Sequence, residues 1–198
     1  FDRNSMEQFR TAITYSIEKN HATKTISYKD RIARDQYWYD EDRTFNWKIL
    51  PETVKIGEYE TQKAETTFAG RKWFAWFTQD LPFIDGPYKF SGLPGLIVKV
   101  EDEKGDYSFD LKETKKIAEL PNFESRFGNN IKVKRSEFLK QQEKFNKDPM
   151  SFFQNQGGGF AMRMGGNQNP QNEAERRKMM EERLKEEAKA NNNPLEKN

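Results

Sequence analysis

Between two segments of alternating hydrophobicity, residues 79–97 read QDLPFIDGPYKFSGLPGLI. Pro82, Pro87 and Pro94 alternate with Gly86, Gly92 and Gly95, and the positions between them are filled largely by Leu81, Phe83, Ile84, Tyr88, Phe90, Leu93, Leu96 and Ile97. Proline fixes φ and removes a backbone donor, while glycine admits positive φ and close backbone approach, so no helix or regular strand propagates through this stretch. It is also too apolar for a solvated linker. The chain is therefore constrained to fold as strands joined by a stiff, partly buried crossover.

The flanking patterns supply those strands. Val54 and Ile56 make a short run ended by Gly57, and residues 59–69 place Gln62, Ala64, Thr66 and Phe68 on one face. Ala69-Gly70-Arg71-Lys72 then turns the chain into Trp73–Thr78, a hairpin signal. The WFAWF run at 73–77 is apolar on both faces, which requires a helix over the second face or a bound ligand or partner. After the crossover, Leu96, Val98 and Val100 alternate with Ile97, Lys99 and Glu101. Asp102–Asp106 turns, and Tyr107, Phe109 and Leu111 return, so the face of Leu96, Val98, Val100, Tyr107, Phe109 and Leu111 is expected to be core. Upstream, alternation predicts strands over 26–39 and 44–50 as antiparallel partners across a polar turn at Asp40–Arg43, with Pro51 interrupting.

Helical spacing occurs twice. Ser5-Met6-Glu7-Gln8 has capping-box spacing ahead of Met6, Phe9, Ile13 and Ile17, predicting a helix over 6–19, and Ser136 opens a second pattern through Phe138, Leu139, Gln142 and Phe145 to Pro149. The expected architecture is mainly β (α+β): a curved antiparallel sheet, up to a half-barrel, with one or two packed helices. It spans residues 1–148. Residues 149–172 are Gly, Asn and Gln rich and read as a linker, and 173–198 as a charged, solvated helical tail.

The same residues limit the chemistry. Lys and Arg number 34 against 32 Asp and Glu, intermingled for a net charge of +2, which argues against nucleic acid as a partner. Cysteine is absent and His21 is the single histidine, which removes Cys-His pairs, makes a Ser-His-Asp triad implausible and leaves no metal set. Met150, Met162 and Met164 are thin grounds for soft-metal capture. The glycines lack the Lys-Ser/Thr of a phosphate loop and the strand-GxGxxG-helix context of a dinucleotide site, so no cofactor is expected. Asp80, Asp85, Glu101 and Asp102 beside turns are the candidates for a hydrolase. No run approaches the ~18 apolar residues of a membrane span.

WFAWFTQDLP, GPYKF and GLPGLI stand in order across 73–100, with Gly70-Arg71 ahead of them. In these motifs the chain resembles the GLPGLI family of Bacteroidetes, over about Trp47 to Leu111 and loosely to 145. The resemblance implies a periplasmic or outer-membrane-associated protein, exported by a signal that precedes Phe1. It also implies partnership with TonB-dependent outer-membrane transporters, and it carries no assigned activity. The layout is similar to half-open sheets that carry an apolar ligand.

These readings favour a non-catalytic envelope binding or accessory protein, the partner being a transporter or an apolar ligand. Its surface is expected at Phe83, Ile84, Tyr88 and Phe90, with Trp73 and Trp76. Gly86, Pro87, Gly92, Leu93, Pro94, Gly95, Leu96 and Ile97 form the structural motif. Two alternatives remain open: a hydrolase using turn carboxylates, and a purely structural domain with GLPGLI as a rigid crossover.

Overall fold

Alternating side chains bury one face of a strand at a time, and in this chain they build two open sheets. A computed structural model describes residues 14–119, 129–149, 178–179, 182 and 195–196. It divides into two compact units, one including Arg43–Phe123 with Asn193–Asn198, the other the flanking segments. The protein is mainly β, with antiparallel-rich sheets, one packed helix and no closed barrel among the described residues.

In the flanking unit, β1 (Ser16–Asn20), β2 (Thr25–Ile32) and β3 (Asp35–Asp40) form an antiparallel meander, and β9 (Asn130–Lys132) adds to β3 in parallel. Asp35 fixes that last pairing, since its Oδ1 accepts from both the backbone and side-chain N–H groups of Asn129, each at 3.0 Å. Helix α1 (Arg135–Lys147) packs on β2 and β3. Its Phe138 is buried with Ile32 and Tyr39, and Tyr28 stacks on Tyr39 at 5.3 Å between ring centroids. Such aromatic pairs add about 0.5–1.5 kcal/mol each beyond their burial.

Three expectations are corrected here. Residues 16–19 belong to strand β1 rather than the predicted helix over 6–19, whose remaining part to residue 13 lies outside the described residues. Asn20 Oδ1 accepts from the N–H groups of Ala22 and Thr23, at 3.0 and 3.1 Å, and so nucleates a turn that returns the chain as β2. The predicted strand over 26–39 is two strands folded at Ala33-Arg34, where Ala33 takes φ 57°. Consequently β2 pairs with β3, and residues 44–50 are not its partner: Lys48 and Ile49 pair instead with Glu65 and Ala64.

The other unit holds β4 (Lys48–Ile56), β5 (Tyr59–Phe68), β6 (Arg71–Thr78), β7 (Leu96–Asp102) and β8 (Ser108–Asp110), in that order across an antiparallel sheet. Pro51 does not end a strand as expected. It lies in edge strand β4, where the register shifts between Ile49 and Thr53, and an edge bulge is a place where a missing N–H costs little. The hairpin at 69–70 forms as predicted, with Ala69 and Gly70 both left-handed at φ 50° and 73°. Buried Ala64, Phe68, Trp73, Ala75, Phe77, Phe90, Leu93, Ile97 and Val100 make the core.

A second register shift, between Trp76 and Phe77, opposes Trp76 to Lys99 but Phe77 to Ile97, so Val98 is the extra residue of a bulge on β7. Val98 and Val100 are buried and Tyr107 and Phe109 pack on the core as expected, but the bulge changes the facing at the start of β7. Ile97 enters the core, whereas Leu96 is only partly buried, and at the far end Leu111 is exposed.

Asp102 ends β7 on the core face opposite Trp73, where an unpaired charge would be costly. Arg71 pairs with it at 2.9 Å, both side chains being 2% exposed, and reaches Asp106 at 2.7 Å. Burial disfavours the guanidinium's charge, but hydrogen bonds and charge from Asp106 and Asp102 outweigh it and raise the pKa of Arg71. The pair ties the β5–β6 turn to the β7–β8 turn.

Candidate functional site

Thr78 and Leu96 are paired across β6 and β7, so residues 79–95 leave and return at adjacent points of the sheet. Hydrophobic anchoring holds this loop down: Phe90 and Leu93 are 0% and 1% exposed. Phe90 lies edge-on to Trp73 with 4.8 Å between ring centroids. Backbone bonds complete the framework, from Ile97 N to Asp85 O at 2.8 Å, Phe90 N to Pro87 O at 3.0 Å and Gly95 N to Leu93 O at 2.8 Å. The Trp47 indole N–H donates to Ser91 O at 2.8 Å.

Two glycines are required by close approach. A Cβ on Gly86 would lie 2.9 Å from Ile97 Cβ and from the Phe90 carbonyl oxygen, and a Cβ on Gly95 would overlap the Thr78 carbonyl. Gly92 differs, with φ +92° but nothing nearer its missing Cβ than Trp47 Cδ1 at 4.0 Å. Pro94 is exposed between them, and Pro87 is half-buried.

The structure disperses the predicted surface residues. Phe83 and Ile84 form an exposed apolar tip, 57% and 62% accessible. Phe90 and Trp73 are interior, because the crossover folds down onto the sheet and fills the space that a ligand on those rings would need. Trp76 is half-buried on the opposite face with Phe74, and among the described residues lysines lie over these rings. Lys63 sits 4.5 Å from the Phe74 centroid and 5.5 Å from that of Trp76, Lys72 5.0 Å from Phe74, and Lys99 5.0 Å from Trp76. Their aliphatic stems shield the rings while the charges stay wet, at about 0.5–1 kcal/mol per exposed cation–π contact. This is how a strand apolar on both faces is tolerated.

Tyr88 takes φ 52°, an uncommon conformation for a bulky residue and one that surrounding contacts must enforce. Its hydroxyl donates to Glu196 Oε1 at 2.7 Å, Lys89 Nζ donates to the same oxygen at 2.6 Å, and Arg43 donates to Oε2 at 2.7 Å. Lys89 is fully buried, and Leu195 packs against the Phe90 cluster. Burial alone would raise the Glu196 pKa, but the charge of Lys89 and the hydrogen bonds from Lys89, Tyr88 and Arg43 hold it below the ordinary carboxylate value. Sequence reasoning missed this cluster. The available signals were a lysine inside the apolar GPYKF run and an isolated leucine following Pro194 in a charged tail. Of the described residues in 173–198, Lys178, Met179 and Glu182 are helical and exposed, whereas Leu195 and Glu196 are half-buried.

The four hydrolase candidates do not converge. Asp80 accepts from Glu60 N at 3.3 Å, Asp85 from Gly86 N at 2.7 Å, Glu101 pairs with Lys99 at 2.7 Å, and Asp102 is committed to Arg71. Adjacent in β7, Glu101 and Asp102 point to opposite faces. Among the described residues no group of three or more His, Cys, Asp or Glu could hold a metal ion, and no helix is long and apolar enough to cross a membrane.

Residues 66–99, which include β6 and the whole crossover, match the model of a protein family of unknown function, Porph_ging. No curated protein matches the chain. Two crystal forms of PNGF-II are similar in structure. In the C2 form the TM-score is 0.54 at 19% identity over 71% of this chain, and in the P21 form 0.55 at 21% identity over 71%. The chain spans 27% of the length of those structures. At such identity the likeness is one of fold.

Proposed function

We propose that the chain is a non-catalytic binding protein of the cell envelope that engages a partner protein through the 79–95 loop, with Phe83 and Ile84 as its anchors. The observation that carries this reading is their exposure, 57% and 62%, on a loop that Phe90 and Leu93 anchor in the core. A surface presented on a pinned backbone loses little conformational freedom on binding, and exposed aromatic anchors are the side chains that dominate interface energies. The engagement of Asp80, Asp85, Glu101 and Asp102 in local contacts supports a non-catalytic role.

The envelope setting rests on the resemblance of the WFAWFTQDLP, GPYKF and GLPGLI motifs to the GLPGLI family, and so does the choice of a TonB-dependent outer-membrane transporter as partner. A photo-cross-linking residue placed at position 83 in the producing cells tests it. The expected result is an adduct that mass spectrometry identifies as an outer-membrane transporter, and that is absent when the same residue replaces Glu58 in the exposed β4–β5 turn. Identical adducts from the two positions would refute the assignment.

A further inference from the structure

Glu196 is recognised as a ligand is recognised. Each carboxylate oxygen has its own donors: Tyr88 and Lys89 on Oε1 at 2.7 and 2.6 Å, Arg43 on Oε2 at 2.7 Å. The preceding Leu195 packs against the core cluster that includes Phe90, so two consecutive side chains, one apolar and one acidic, are both held by the folded unit. The recognising groups all come from the folded unit and precede the segment by more than a hundred residues. Two cations face one carboxylate, and one of them, Lys89, has no exposed side-chain surface. A buried ammonium strongly favours an anionic occupant, which makes the cluster a receptor for acid rather than an incidental surface pair. The backbone of Tyr88, at φ 52°, is held in the conformation that aims its hydroxyl at that oxygen.

We propose that Arg43, Tyr88 and Lys89, with the Phe90 cluster beneath them, form a binding site for a Leu-Glu segment, which residues 195–196 fill as a tethered internal ligand. An acidic peptide of the same pattern presented in trans competes for the site. Because the internal segment belongs to the same chain, a competitor in trans with equal contacts displaces it only near the segment's effective concentration. A chain whose own segment is disabled binds the competitor at the site's intrinsic affinity.

The probe is a fluorescein-labelled peptide of residues 190–198, titrated by anisotropy into the full chain. Leu195→Asp/Glu196→Gln is expected to bind it at least tenfold more tightly than the parent. Adding Lys89→Met should abolish binding, as should replacing the peptide's glutamate by glutamine. If the double variant does not fold, refolding with 1 mM unlabelled peptide is expected to restore its near-ultraviolet circular dichroism, and the glutamine peptide is expected not to. Equal binding by parent and double variant, or equal action of the two peptides, would overturn the proposal. Phe83 and Ile84 take no part in this test, so its outcome is separate from that of the loop reading.

Discussion

Gly95 should be the least replaceable glycine of the crossover. An alanine Cβ there would overlap the Thr78 carbonyl oxygen and lie 2.7 Å from its carbon and 3.3 Å from Gln79 N, all backbone atoms at the end of β6. None of these can swing away as a flexible side chain does. The cost therefore combines overpacking, about 1–3 kcal/mol, with a backbone conformation disfavoured for L-residues, about 1–2 kcal/mol. Gly95→Ala is accordingly expected to lose about 2–5 kcal/mol. Gly92→Ala also sits at a positive φ, +92° against +159° at Gly95, but meets only Trp47 Cδ1 at 4.0 Å, so it should lose only about 1–2 kcal/mol. Gly57→Ala, at φ +60° in the β4–β5 turn with nothing within 4 Å, is the reference for dihedral strain alone. Urea titrations followed by tryptophan fluorescence give the three differences. If Gly95→Ala is no less stable than Gly57→Ala, the close approach of the crossover to Thr78 is wrong.

Arg71→Met should cost about 3–5 kcal/mol by leaving Asp102 buried without its cation, and Arg71→Met/Asp102→Leu should recover most of that in the same titrations. Recovery absent from the double variant would mean that Arg71 acts through packing instead. Ala69→Asn should raise stability by roughly 0.5–1 kcal/mol, since Ala69 holds φ 50° at the first position of a turn that prefers Asn-Gly. A lower melting temperature would contradict it. The contribution of Glu196 should be present above its ordinary carboxylate pKa of 4.5 and lost as pH falls through its depressed folded value. A carbon-13 titration of that carboxyl is expected to give a midpoint below 4.5, and one at or above it would place the carboxylate outside the cation cluster.

The fold was legible where local pattern and tertiary pairing agree. Alternation through residues 59–78 located β5, β6 and their turn, because Ala-Gly at 69–70 is close to the preferred chemistry of a two-residue hairpin. It failed at 33–34, where an alanine adopts the left-handed conformation that sequence reasoning reserves for Gly or Asn. It failed again at Val98, where a bulge slips the register and exchanges Leu96 for Ile97 in the core, since no residue at 96–98 announces the extra position. The apparent helix before Asn20 rested on a few apolar positions, and the side-chain turn at Asn20 prevailed over them through residues 16–19.

The site was legible in part for related reasons. The crossover announced itself through its prolines and glycines, but which of its aromatics face outward depends on how it folds onto the sheet. The carboxylate cluster joins residues more than a hundred positions apart, and no local pattern reports such a contact.

On the proposed reading, a pinned loop presents Phe83 and Ile84 to a partner in the envelope. Saturation binding of the labelled chain to outer-membrane vesicles of the producing organism tests it most directly, comparing the parent with Phe83→Ser/Ile84→Ser. Half-burying two apolar anchors is worth about 2–3 kcal/mol together, so the double variant should bind roughly 30- to 150-fold more weakly while its melting temperature stays unchanged. Equal affinity of the two chains for the vesicles would show that Phe83 and Ile84 are not the anchors.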